Sequence, residues 1–240
     1  MSNDLRPRAV LFDLYRTLLD IWTDEHRPEV WAKLAHFLRY QGLPADAGTL
    51  HNTFFGMLQS SQKESSDEHP EVDVLGIFRT MLLQLGYNGS DHFFVEVTQL
   101  FRKLSIVHFD LFPDTLRTLQ ALHGSFKLGL VSDAQRVFLE PEIEMTGLTP
   151  LLDIIIISSD YGFHKPDPRL FAMALEGLGV SAEQAVYIGD SIPRDICGAQ
   201  KANLPAILLN RDGHLDDNEC SCKPDKIFST LDELRAWLLS

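Results

Sequence analysis

Four apolar runs in this sequence end in groups able to do chemistry, or lead into them. "VLFD" ends in Asp13, "LGLVSD" in Ser132 and Asp133, and "VYIGD" in Asp190, while "GFHKPDP" carries Lys165 just ahead of a helix start. Asp195 follows in the first turn of the helix after Asp190. Singly, each has an ordinary structural use: a strand-end aspartate caps the next helix, Ser-Asp is a turn, and a lysine before proline faces solvent. Together they point to chemistry. Asp13, Asp190 and Asp195 converging without a cation would be costly crowding of like charge, and a hard divalent ion, Mg2+, relieves it with oxygen ligands. Lys165 and the Ser132 hydroxyl are then suited to hold an anion beside the metal. A carboxylate in that setting can act as a nucleophile through an aspartyl intermediate, with the cations screening its repulsion from the anion.

Strands must bring these groups to one place. Apolar strand runs alternate with helical stretches from Phe112 onward: "FKLGLVSD", "LLDIIIISSD", "AVYIGD" and "PAILLN" are separated by "RVFLEPEIEMTGL", "PRLFAMALEGLG" and "RDICGAQKANL". That alternation predicts an α/β fold with a doubly wound parallel sheet, in which ligands sit at the carboxyl ends of the strands. "DKIFS" reads as a last short strand, and "TLDELRAWLL" as a closing helix with Thr230 as cap and Glu233 completing a capping box. Pro141 is expected to start or kink a helix. Between the first strand and the rest, residues 20–105 read as helices and loops, with "SSQKESSDEHPEVD" as a polar loop. The expected division is a core of 1–19 and 106–240 and a helical cap of 20–105. Phe54, Phe55 and Met57 either pack inside an amphipathic cap helix, the commoner use, or line a pocket.

Composition narrows the field. Of 240 residues, 21 are Lys or Arg and 34 are Asp or Glu, for a net charge of −13. This acidity argues against nucleic acid as a partner and means that an anionic small-molecule substrate needs locally placed positive charge. Three cysteines, Cys197, Cys220 and Cys222, do not make a disulfide framework, so Cys220 and Cys222 are expected to be loop thiols in a reducing cytosol. No signal peptide is visible before Arg8, and no run approaches the roughly 18 apolar residues of a membrane span. The expected setting is cytoplasmic, away from membranes. The pattern allows a homodimer through the cap and does not demand one.

In order along the chain, the motifs resemble those of the haloacid dehalogenase-like superfamily. "FDLYRTLLD" is similar to its first motif, "LGLVSDA" to the second, "KPDP" at Lys165 to the third and "GDSIPRD" to the fourth, and the helical insertion is similar to the family's C1-type cap. The resemblance implies a Rossmann-like core with Asp13 as nucleophile. It implies Mg2+ held by Asp13, the Tyr15 carbonyl and Asp190, with Asp195 a ligand or a partner behind them. Ser132, the Asp133 amide and Lys165 would hold the transferring group, and Thr17 would support the loop after the nucleophile at the substrate site.

Two positions depart from the pattern. The family's phosphatases carry an aspartate at the position of Tyr15, as acid for the leaving group and base for water. A tyrosine, with an ordinary pKa near 10, can donate a proton but is a poor base. Its 2-haloacid dehalogenases do carry tyrosine there, yet tend to lose the acid that Asp190 represents. They also use a cap arginine, for which Arg27 and Arg39 are the nearest candidates. Arg16 replaces the usual glycine, either as a solvent-facing loop residue or as an extra cation at the mouth of the site. Three functions follow: a Mg2+-dependent hydrolase of a small phosphorylated metabolite, with a cap histidine (His26, His51 or His69) as an alternative acid; a 2-haloacid dehalogenase; or a catalytically weakened member that binds a phosphometabolite or a protein partner.

Overall fold

The strand at the centre of the sheet is the first in the chain. β1 (Ala9–Phe12) pairs in parallel with β4 (Lys127–Ser132) on one side and β6 (Ala185–Gly189) on the other. β5 (Ile154–Ile157) extends the sheet beyond β4, and β7 (Ala206–Leu209) and β8 (Lys226–Phe228) extend it beyond β6, giving the order β5-β4-β1-β6-β7-β8. The computed structural model describes residues 7–64, 67–213 and 221–240. All of β1 is buried because both faces are covered. Val10 and Phe12 face a cluster with α5 (Thr115–Leu122), α6 (Arg136–Thr146) and α9 (Leu231–Leu238). Ala9 and Leu11 face another with α7 (Pro168–Leu178) and α8 (Cys197–Lys201). The sheet grows outward in both directions from β1, which opens a crevice above its carboxyl end.

Residues 20–105 are not all helix and loop. β2 (Leu19–Thr23) and β3 (Ile106–Leu111) form an antiparallel ribbon. Their alternation is short and only half buried, so it gave a weak period, and pairing across more than eighty residues is invisible locally. Beyond the ribbon stand α1 (Pro28–Tyr40), α2 (Ala47–Glu64), α3 (Val74–Gln84) and α4 (Asp91–Ser105). They enclose their own apolar cluster, in which Trp31, Phe54, Phe78 and Phe101 touch ring to ring. Phe54 is therefore core. The helices return to the α/β layer at two seams. One is α4 against α6. The other is the segment Asp67–Val74, which crosses to the core through Glu71 N to Gly162 O (3.0 Å), His164 N to His69 O (2.9 Å) and Gln135 Nε2 to Val72 O (2.6 Å).

Three further expectations are corrected. Pro141 lies inside α6 rather than at its start; the Val137 carbonyl that a residue at 141 would ordinarily bond accepts from Gln99 Nε2 of α4 at 3.3 Å. The capping box at α9 is displaced: Thr230 accepts from Glu233 N (3.2 Å), while the Glu233 carboxylate receives Ser229 N (2.8 Å). Cys197 and Cys222 form a disulfide, with Cα atoms 5.5 Å apart. A count of three cysteines carries no distances; here the chain entering β8 runs beside α8, where Gln200 Nε2 also reaches Lys223 O (2.6 Å). The cysteine count thus loses its weight on compartment, and Cys220 lies outside the described residues. Among the described residues no helix is long and apolar enough to cross a membrane.

Asp114 joins the two ends of the core. It is buried, accepts Arg211 on both oxygens (3.0 and 3.2 Å) and Leu231 N (2.8 Å), and the same guanidinium donates to Thr17 O (3.0 Å). Removing one partner of such a buried pair strands the other. Asp114→Ala is expected to lower unfolding free energy by about 3 kcal/mol, read from the denaturant midpoint at unchanged slope.

Candidate active site

Asp13 is the first residue past β1, and its N–H still donates to Ile188 O (2.9 Å), so the ladder holds its backbone while its carboxylate clears the sheet. Lys165 lies beneath it. The lysine backbone donates to Asp133 Oδ1 (2.8 Å), and Nζ reaches Asp13 Oδ1 and Asp195 Oδ1, both at 2.7 Å, with the Tyr187 hydroxyl at 3.2 Å and Val131 O at 3.3 Å. Asp195 is placed by a π-helical turn, Ile192–Ile196. Its Oδ2 accepts Ser191 N (2.9 Å) and its Oδ1 also accepts from Tyr187 (3.0 Å). Gly189 makes room for it, since a Cβ there would lie 2.3 Å from the Asp195 carboxyl carbon.

Asp13, Asp190 and Asp195 each offer an oxygen within 4.8 Å of the others. Burial, partly offset by Lys165 and reinforced by Asp195 and Asp190, pushes the Asp13 carboxyl up to about 7. Burial and then Asp195 raise Asp190 as well. Burial works against the Lys165 charge, but Asp13 and Asp195 outweigh it and hold the ammonium well above its ordinary value. Such like-charge crowding favours a further cation, and the donors are all hard oxygens suited to Mg2+. Both Asp195 oxygens, Asp13 Oδ1 and Asp190 Oδ2 accept hydrogen bonds, which leaves Asp13 Oδ2 and Asp190 Oδ1 as the oxygens of the trio without one among the described residues. Beside them Ser132 Oγ, Thr17 Oγ1 and Asp133 Oδ2 are buried without a partner among the described residues. Buried polar atoms of this kind are costly unless a ligand or water meets them.

The two departures in the first motif have structural counterparts. Arg16 adopts φ +64°, the left-handed conformation that favours glycine, and its side chain does not simply face solvent. Nε contacts Asp190 Oδ2 at 3.2 Å and Nη2 contacts Asp212 at 2.8 Å. Tyr15 is turned toward the cap seam. Its hydroxyl donates to Glu142 Oε2 of α6 (2.7 Å), whose other oxygen takes Arg102 Nε of α4 (2.7 Å), and the guanidinium lies 5.5 Å from the Tyr15 ring centre. Burial and then Glu142 raise the phenol well above its ordinary value. Tyr15, Glu71, Asp133, His164, Arg102 and Arg194 line a cleft of 390 Å³ between cap and core.

Arg27 and Arg39 are used to hold the helices, on Leu104 O (2.7 Å) and Ala45 O (2.9 Å). His26 stacks on Phe55 at 4.1 Å, and His51 packs edge-on to Trp31. His69 meets His164 at 5.8 Å, near the cleft. Sequence reasoning missed Tyr187, Glu142, Arg102 and Glu71. Tyr187 reads as one more apolar strand residue, and the others as polar helix or loop positions, so no local signal marked them.

Residues 48–209 match the family described as haloacid dehalogenase-like hydrolase. The chain belongs to that family and is a hydrolase. It is 27% identical to glyceraldehyde 3-phosphate phosphatase of Methanopyrus kandleri over 87% of this chain and 86% of that protein. Among solved structures it is similar to a 2-haloacid dehalogenase of Pseudomonas syringae pv. tomato (26% identity, TM-score 0.70, 97% of this chain and 98% of that one). A HAD phosphatase of Thermococcus onnurineus is also similar, at 26% identity and TM-score 0.63 over 96% of this chain and 97% of that one. The parallel six-stranded sheet is thus the family's Rossmann-like core.

Tyr187→Phe removes a hydroxyl that serves Lys165, Asp195 and the Val131 carbonyl (3.1 Å) while keeping the ring against Phe171. The variant should fold and lose about 1–3 kcal/mol, measured by denaturant titration against wild type.

Proposed function

We propose that this hydrolase removes the phosphoryl group of a small, anionic phosphorylated metabolite, through an aspartyl intermediate on Asp13 and with Mg2+ as cofactor. The observation that supports it most is the Lys165 ammonium shared between Asp13 and Asp195 beside Asp190, an anion-tolerant and cation-hungry apex above a parallel sheet. Asp13 and Asp190 would hold the metal, and Asp195 would act from behind by fixing Lys165. Bound Mg2+ supplies charge neutralisation for the nucleophile and the phosphoryl oxygens.

The chain's own groups do the rest. Ser132 Oγ and the Asp133 amide, at the tip of β4, receive phosphoryl oxygens. Lys165 Nζ favours the ionised form of Asp13, against its burial, and screens its approach to the anion. Asp13 attacks phosphorus, the bond to the leaving oxygen breaks, and water later attacks phosphorus and returns Asp13 as carboxylate. Thr17 holds the loop that carries Tyr15 and Arg16.

A second reading, attack of Asp13 on a halogen-bearing carbon, draws on Tyr15 in the first motif and on the likeness to the Pseudomonas dehalogenase. Purified protein assayed for phosphate and halide release, with and without Mg2+, separates the two. The expected result is Mg2+-dependent phosphate release that disappears in Asp13→Asn. Metal-independent release of chloride from 2-chloropropionate would replace the proposal with the second reading. Silence of the wild type on every substrate, with Tyr15→Asp active, would point to a binding protein.

A further inference from the structure

The position of the Tyr15 hydroxyl bears on which phosphates can be cleaved. Tyr15 stands on the nucleophile's own loop and lines the cleft, so it is the protic side chain best placed by sequence to protonate a departing oxygen. Its proton is directed away, into the Glu142 carboxylate at 2.7 Å. Glu142 is itself buried and fixed by Arg102, so the phenol is anchored at both seam helices. The other titratable groups of the cleft are each held by at least one contact, although Asp133 Oδ2 has no partner among the described residues. Glu71 accepts from Ser158, from Gln135 Nε2 (2.9 Å) and from Val72 N (3.1 Å). Asp133 accepts Lys165 N (2.8 Å), and His164 Nδ1 faces the Lys165 carbonyl. Arg194 differs. It is exposed, lines the same cleft, and has no carboxylate within ion-pair distance among the described residues; its one hydrogen bond, to Ser191 Oγ, is long at 3.5 Å.

We infer that this site acts on acyl phosphates, whose leaving group departs as a carboxylate anion that needs no proton and is received by Arg194. The inference rests on the phosphohydrolase reading and narrows its substrate class. In the first step an Asp13 oxygen bonds to phosphorus and the phosphorus–oxygen bond to the acyl group breaks. That electron pair leaves on the carboxylate oxygen, beside the Arg194 guanidinium. In the second step water attacks phosphorus, the Asp13–phosphorus bond breaks, and the products are the Asp13 carboxylate and dihydrogen phosphate, so charge and protons balance without an enzymic acid. An alkyl phosphate must expel an alkoxide, and the lack of a positioned acid typically costs about 10²–10⁴-fold.

Single-turnover phosphoryl transfer is measured with Mg2+ on acetyl phosphate, aryl phosphates graded in leaving-group acidity, and glycerol phosphate. Wild type should slow steadily as the leaving group becomes more basic, with acetyl phosphate about 10³-fold or more ahead of glycerol phosphate. Tyr15→Asp should flatten that dependence, and Arg194→Gln should slow the single-turnover step on acetyl phosphate more than on phenyl phosphate. Wild-type rates on acyl and alkyl phosphates within about threefold would overturn the inference and leave the phosphohydrolase reading standing. Absence of phosphate release from the whole series, or release that survives Asp13→Asn, would overturn both. The wild-type series decides the matter even if Tyr15→Asp fails to fold.

Discussion

A single buried ammonium holds the site together. Lys165 is almost wholly enclosed, and its Nζ is the only cation shared between Asp13 and Asp195 among the described residues. Each of those carboxylates would be prohibitively costly to bury alone. With Lys165 between them, Asp13 can stand at the tip of the central strand, and the π-helical turn can fold Asp195 over Gly189. Tyr187, rising from β6 beneath them, supplies the hydroxyl that completes the cage. In a chain with a net charge of −13, the arrangement places positive charge at one enclosed point among these carboxylates.

What was legible in the sequence was what strands display at their ends. Asp13, Ser132, Asp133 and Asp190 each follow an apolar run, and Lys165 precedes a helix start, so a parallel sheet brings them together by topology alone. Groups reaching the site by packing were illegible. Tyr15 and Glu142 are 127 positions apart, and Arg102 and Glu142 are 40 apart; nothing in the spacing of α4 or α6 marks which polar residue turns inward. The β2–β3 ribbon escaped notice for the same reason, because its stability lies in cross-strand pairing.

Tyr15 and Arg16 gain meaning from what they touch. Tyr15 ties the loop after β1 to α6 and, through Glu142, to α4, so this position links the helical insertion to the α/β layer. Arg16 spends a strained backbone conformation to place a guanidinium on Asp190 and Asp212. The first motif is thus wired to the cap on one flank and to the loop after β7 on the other.

The order of strands also has a consequence for how the chain is made. β1 is made before the strands it pairs with and ends in the middle of the sheet, where its neighbours are β4 and β6, beginning at Lys127 and Ala185. Throughout synthesis of the whole helical insertion, "AVLF" is an apolar strand with both edges open. Such unpaired edges are the segments that aggregate during slow, non-local assembly. One edge of β1 waits for β4 at Lys127–Ser132, and the other for β6 at Ala185–Gly189. Growing chains of this protein are therefore most vulnerable at the strand that later carries Asp13 to the sheet's carboxyl end.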